Sequence, residues 1–146
     1  DTSDTNIHQL RRQVWKCAGS ENEAMTIVLE SFAFKRGVPQ DVDFIFDARI
    51  LPNPFWVEEL RDLSGRDAAV SEWLERDESV KGMQSDILTF LKNWLPEFQQ
   101  SQRSYVTVGI GCTGGRHRSV YLVDRLARGL GKDYKNVLIH HREMQA

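Results

Sequence analysis

The densest chemistry in this sequence lies in one run, Gly109-Ile110-Gly111-Cys112-Thr113-Gly114-Gly115-Arg116-His117-Arg118-Ser119. Glycines allow a tight backbone turn and let main-chain N–H groups converge on an anion. Arg118 and Arg116 supply forked, charge-assisted donors. Thr113 and Ser119 add hydroxyls, and His117 adds a donor that switches with pH. The run follows an apolar stretch that reads as a strand and opens a stretch that reads as a helix. A helix N-terminus adds unsatisfied donors and positive dipole at the same place. These residues therefore predict an anion cradle built from Thr113, Gly114, Gly115, His117, Arg118 and Ser119. The plainer alternative is a glycine-rich turn carrying solvated arginines.

No Gly-Lys-Ser/Thr follows four variable residues, so the run is not a Walker A loop. Cys112, five residues, then Arg118-Ser119 resembles the Cys-x5-Arg-Ser/Thr loop of the protein tyrosine phosphatases, with Gly115 at the matching inner position. That resemblance implies a thiolate that attacks phosphorus while loop and arginine hold the phosphoryl oxygens. Two departures stand against it. Gly111 replaces the His that usually precedes the cysteine, and no Trp-Pro-Asp general-acid loop is present. The alternative for Cys112 is a small apolar residue at a strand end.

A second segment is expected to meet the first. Asp47 and Arg49 stand two apart on a predicted strand and so share a face. Asn53 sits in the Pro52-Asn53-Pro54 turn beyond it, and Lys35 and Arg36 leave the preceding strand. Arg49 suits a phosphate or carboxylate, and Asp47 suits sugar hydroxyls or an amine. Alternatively the two form a pair that only buttresses the turn. His140 and His141 are adjacent on a predicted strand and face opposite ways. His8 reads as a surface or cap residue. Trp15, Trp56, Trp73 and Trp94 read as core, with Trp56 also placed to wall the pocket.

The elements that must position these groups follow from periodicity. Ile7, Leu10 and Val14 recur at helical spacing behind several candidate caps, which predicts a first helix ending near Gly19. Strands are predicted over 25–34, 44–50, 105–111 and 136–141. Val80, Met83, Ile87, Leu91 and Trp94 form one helical stripe, with Pro96 marking its end. A helix is predicted over 117–130. Strands alternating with helices argue for an α/β domain with a mostly parallel sheet flanked by helices. The apolar strands fit a sheet covered on both faces.

The chain has 146 residues, enough for one domain with a real core, and it reads as a single domain over 1–146. It does not begin with Met, which suggests an excised domain or a processed chain. Its two cysteines, Cys17 and Cys112, favour a reducing compartment and exclude a four-cysteine zinc site. No apolar run is long enough to span a membrane, and no metal site is expected. The net charge of −2 does not itself suggest nucleic acid, but the charge is unevenly placed. Residues 58–86 carry nine acids and four bases, a balance of −5, and residues 103–142 carry eight bases and two acids, a balance of +6. Such asymmetry points to an anionic partner on one face, or to two solvated faces of opposite sign.

Five ordered blocks together resemble the C-terminal domain of the RapZ family of nucleotide-binding proteins, also called YvcJ. They are Asp1-Thr2-Ser3, residues 31–39, residues 43–49, Leu51-Pro52-Asn53-Pro54-Phe55-Trp56, and residues 111–119. The resemblance implies a bacterial cytoplasmic protein and a fold like a phosphofructokinase subdomain. It implies no cofactor in this domain, with ATP or GTP bound only by an N-terminal P-loop domain outside this sequence. It further implies an RNase adapter that binds structured small RNA and presents it to RNase E. The domain would sense glucosamine-6-phosphate and self-associate, as a dimer of this domain and a tetramer of the complete protein. Two departures are visible: Phe55 stands where family members often have His, and the sequence ends His141-Arg142-Glu143-Met144-Gln145-Ala146 instead of in a basic cluster.

The expected function is thus a non-enzymatic regulatory domain. Its phosphorylated metabolite would lie on Asp47, Arg49, Asn53, Thr113, Gly114, Gly115, His117, Arg118 and Ser119. RNA would lie on Arg125, Arg128, Lys132, Lys135 and Arg142, with Arg103 and Arg116 adding to that face. Arg125, Arg128 and Lys132 stand three and four apart and share one helix side. The alternatives are a Cys112-dependent phosphatase and a metabolite-binding regulator without RNA binding.

Overall fold

The computed structural model describes residues 25–144. The expectations placed on the first helix, His8, Trp15 and Cys17 lie outside the described residues. The elements are β1 (Thr26–Ala33), β2 (Phe44–Asp47), α1 (Ala68–Glu75), α2 (Glu78–Gln100), β3 (Tyr105–Cys112), α3 (Arg118–Leu130) and β4 (Asn136–His141). Short 3-10 turns occupy Phe34–Arg36, Pro54–Trp56 and Glu58–Leu60.

The four strands lie in the order β2-β3-β1-β4, and every pairing is parallel. The expected α/β class is therefore borne out, with a wholly parallel sheet. Parallel pairing places the ends of all four strands, Ala33, Asp47, Cys112 and His141, on one sheet edge. The registers Asp47↔Gly111, Ala33↔Cys112 and Ser31↔His141 fix this alignment. The β2-to-β3 and β3-to-β4 connections step in the same direction across the sheet. Right-handed crossovers then place their helices on one face. Ile27, Leu29, Val106, Val108 and Ile110 pack there with Val70, Leu74, Leu91, Leu95, Leu122 and Leu126 in one core. All eight residues of β1 are buried, as expected for a central parallel strand.

Three sequence expectations are corrected. The second strand ends at Asp47, not Ile50, because Leu51 N donates to Ala48 O and the Asp47 carboxylate accepts from Arg49 N, together closing a turn. Helix α2 passes through Pro96 and ends at Gln100. Its last turn carries buried Leu95 and also Phe98, whose ring meets Phe44 edge-on at 5.4 Å. This packing outweighs the roughly 3 kcal/mol that an internal proline costs. Leu95 takes the inner position expected of Trp94, which is 51% exposed and lies against Phe90. Trp56 is also outside the core at 76% exposure, and Trp73 is half-buried. Helix α1 was not legible as a separate element. Asp77, N-capping α2 through Ser79 N and Val80 N, marks the break between the two helices.

Candidate functional site

Residues 113–117 bridge the end of β3 and the start of α3 at the sheet edge where the strand ends meet. Gly115 makes the turn possible: its φ is +70°, and a Cβ there would lie 2.8 Å from both Ala33 N and Glu143 Cγ. The loop thus sits directly on the end of β1. Thr113 and Arg116 are exposed, while His117, Arg118 and Ser119 are buried. His117 caps α3 without a side-chain hydrogen bond to its first turn. The main-chain donors of that turn are therefore not answered by a capping side chain.

Arg118 is only 3% exposed. Its Nη1 donates to Arg49 O at 2.8 Å and Leu51 O at 3.0 Å, and its Nη2 approaches Thr113 Oγ1 at 3.5 Å. Its Nε has no protein partner. Burial pushes the His117 pKa below its ordinary value, and the Arg116 charge adds to this, against the opposing carbonyls of Leu63, Leu60 and Arg61. The ring is therefore neutral at pH 7. The His117 ring thus lies against the carbonyls of the 60–63 segment, and Arg118 Nε is the buried nitrogen here that no protein acceptor approaches, which is unusual because such groups are nearly always satisfied.

The second segment does reach the first, through the Arg118 guanidinium on the main-chain carbonyls of Arg49 and Leu51. Asp47 and Arg49 form a bidentate pair: Arg49 Nη2 donates to Asp47 Oδ2 at 2.7 Å and Arg49 Nε to Asp47 Oδ1 at 3.0 Å. The Arg49 hydrogen bonds hold the Asp47 carboxyl below its usual range. Both side chains are about half exposed, and the Arg49 guanidinium lies 3.9 Å from the centre of the Phe34 ring. Asp47 and Arg49 do not share a strand face as expected, since Arg49 lies in the turn; the shared turn brings them together instead. Asn53 Oδ1 accepts from Phe55 N and caps the 3-10 turn at Pro54–Trp56. Arg36 pairs with Glu143 at 2.8 Å. Phe34, beneath Arg49, was missed by sequence reasoning; its register two residues beyond Phe32 on a buried strand was the available signal.

Cys112 is 2% exposed, and its thiol donates to Ser119 Oγ at 3.2 Å. At the preceding position, a Cβ on Gly111 would lie 2.5 Å from ring carbons of Phe32 and Phe34. The His of the phosphatase pattern has no room there.

A family model described as the RapZ C-terminal domain matches residues 25–145. The chain belongs to the RapZ C-terminal domain family. A protein of Saccharophagus degradans named "Nucleotide-binding protein" is 51% identical over 146 residues, covering 99% of this chain and 50% of that protein. A like-named protein of Nitrosococcus oceani is 50% identical, covering 99% of this chain and 52% of its own length. One from Azotobacter vinelandii is 47% identical, covering 99% and 51%. This RapZ-type chain thus spans about half the length of the curated relatives it matches.

Of the residues expected to hold RNA on one face, Arg103 precedes β3 and Arg142 follows β4, so these two lie at opposite ends of the parallel sheet; Arg125 pairs with Glu75 and lies over the Tyr121 ring, and Arg142 pairs with Glu30 at 3.4 Å. Arg103 pairs with Asp43. Arg128, Lys132 and Lys135 are exposed. A network not foreseen from sequence links Ser31 Oγ to His141 Nδ1 at 2.7 Å, His141 Nε2 to Asp124 Oδ1 at 3.0 Å, and Asp124 to Arg66. Its order evokes a hydrolase triad, but Ser31 is completely buried and open to no substrate. The network ties β1, β4 and α3 together. Among the described residues, no group of three or more His, Cys, Asp or Glu is placed to hold a metal, and no helix is long and apolar enough to cross a membrane.

Proposed function

We propose that this domain is a non-catalytic sensor that binds a phosphorylated amino sugar of the glucosamine-6-phosphate type in the cradle formed by residues 113–119. The observation that carries this reading is Arg118, whose Nε has no protein partner and whose Nη2 lies 3.5 Å from the hydroxyl of exposed Thr113, beside an uncapped helix start. Thr113 and the main-chain N–H groups of the loop complete the anion contacts. Arg49 and Asp47, held at the rim by Arg118, face the sugar. A binding role needs only this cradle, whereas phosphatase chemistry needs an accessible thiolate and a general acid, and Cys112 is buried against Ser119. ATP or GTP belongs to the family's N-terminal domain, outside this sequence. Calorimetric titration with glucosamine-6-phosphate and glucosamine tests the reading.

The domain serves a cytoplasmic RNase adapter that carries structured small RNA to RNase E and works as an oligomer. Arg128, Lys132 and Lys135, exposed at and beyond the end of α3 and without ion pairs among the described residues, support this part. With Arg125 and Arg142 engaged by carboxylates, RNA affinity of the isolated domain is modest, and oligomers multiply it.

A further inference from the structure

A second feature lies on the far side of the turn that Arg118 holds. Between the end of β2 and the first three turns of α2 runs an open groove of about 640 Å³. Its walls are apolar: Phe46, Ile50 and Leu51 on one side, and Met83, Ile87 and Phe90 on the other. Gly82 lies on the helix side, and a Cβ built there meets no atom within 4 Å, so the groove is unfilled at that point. Ile50 is 84% exposed although it stands between two residues whose carbonyls Arg118 grips. A large β-branched side chain held rigidly in water at the mouth of an apolar groove is poised for a partner.

The charge around the groove selects the partner. Every charged residue lining it is an acid, Asp47 and Asp86. Asp47 is already paired with Arg49, but Asp86 is exposed and makes no ion pair among the described residues. Lys81, the base next to Gly82 on α2, is engaged by Glu78. The lining residues Ser79, Gly82, Met83, Asp86 and Phe90 recur along α2 over roughly 16 Å at 1.5 Å per residue, which is the length of three turns of a partner helix. We propose that this groove docks an amphipathic helix of another protein, with an apolar stripe at i, i+3/i+4 and i+7 spacing and lysine or arginine on its flanks. The groove shares Asp47 with the rim of the proposed cradle but none of residues 113–119, and its test uses no cradle ligand.

The test uses the full chain and a synthetic helical peptide of about fifteen residues, with leucines at that spacing and lysines on the flanks. A second peptide carries glutamates in place of the lysines. Fluorescence anisotropy is expected to show the lysine peptide binding at least about tenfold more tightly than the glutamate peptide. Gly82→Leu, which fills the groove, is expected to weaken binding at least about tenfold with an unchanged circular dichroism spectrum. If that variant does not fold, Ile50→Asp on the exposed turn provides the same readout. Asp86→Lys is expected to narrow the preference between the peptides. The proposal is overturned if neither peptide binds, if both bind equally, or if both groove variants bind like the wild type. It is also overturned in favour of this chain's own first residues if binding appears only when Ile7, Leu10 and Val14 are all replaced by Asp. Dissolution of a dimer by Ile50→Asp in sedimentation experiments overturns it in favour of a second copy.

Discussion

Arg118 donates to the main-chain carbonyl of Arg49 at 2.8 Å, so the residue that opens α3 also fixes the turn presenting the Asp47–Arg49 pair. One buried guanidinium thereby joins two segments almost seventy residues apart. Its Nη1 is engaged by protein, and its Nη2 lies 3.5 Å from the hydroxyl of exposed Thr113.

Arg118→Ala therefore carries a stability cost as well as a binding cost. It strands the carbonyls of Arg49 and Leu51, and a hydrogen bond to a charged group contributes about 1.5–3 kcal/mol. Thermal melting is expected to fall by roughly 10 °C for a loss of about 3 kcal/mol. A melting temperature within a degree or two of the wild type would show that the clamp does not support the turn.

The two neighbouring loop glycines are expected to behave differently. Gly115→Ala combines positive φ with contacts below 3 Å, which predicts a loss of at least about 2 kcal/mol in chemical denaturation. Gly114→Ala meets nothing within 4 Å and is expected to fold with wild-type stability. Equal effects of the two substitutions would contradict the loop conformation.

Much of this arrangement was legible in the sequence. The glycines, arginines and hydroxyls between a β-branched run and an amphipathic run placed the loop that joins β3 to α3, and strand β4 matches its expected bounds at Asn136–His141. What was not legible depended on contacts distant in sequence. Pro96 reads as a helix end until the core position of Leu95 and the Phe44–Phe98 contact are known. Asp47 and Arg49 read as strand neighbours because nothing local announces the Ala48–Leu51 hydrogen bond or the grip of Arg118. His141 looked uninformative because its partners, Ser31 and Asp124, come from other elements.

Glu30, buried on β1 beside Arg142, gives the fold a pH signature. Burial raises its pKa from 4.5 to about 7, with Arg142 opposing. In the unfolded chain it ionises first, so its stabilising contribution is complete below pH 4.5 and is lost as pH rises to about 7. His117 and His140, whose pKa values burial lowers, work in the opposite direction below their ordinary value of 6.5. Comparison with Glu30→Gln separates these effects. The variant is expected to gain stability relative to wild type between pH 5 and pH 8, by on the order of 2–3 kcal/mol. A difference independent of pH would contradict the raised pKa.

Charge reversal of Arg128, Lys132 and Lys135 together is expected to weaken binding of a structured small RNA and to flatten its dependence on salt. Anisotropy titrations at two salt concentrations measure both. A triple variant that binds like the wild type would mark this side as a solvated surface.

Wild-type protein is expected to hydrolyse no aryl phosphate, and Cys112→Ser is expected to change nothing in that assay. Turnover by the wild type that vanishes in the serine variant would make the domain a phosphatase.

The most direct measurement is isothermal calorimetry of the full chain with glucosamine-6-phosphate and, under the same buffer and salt, with glucosamine. Charge-assisted contacts of about 1.5–3 kcal/mol predict that the phosphorylated sugar binds roughly ten- to a hundredfold more tightly. Equal affinity for the two sugars would contradict the phosphate cradle.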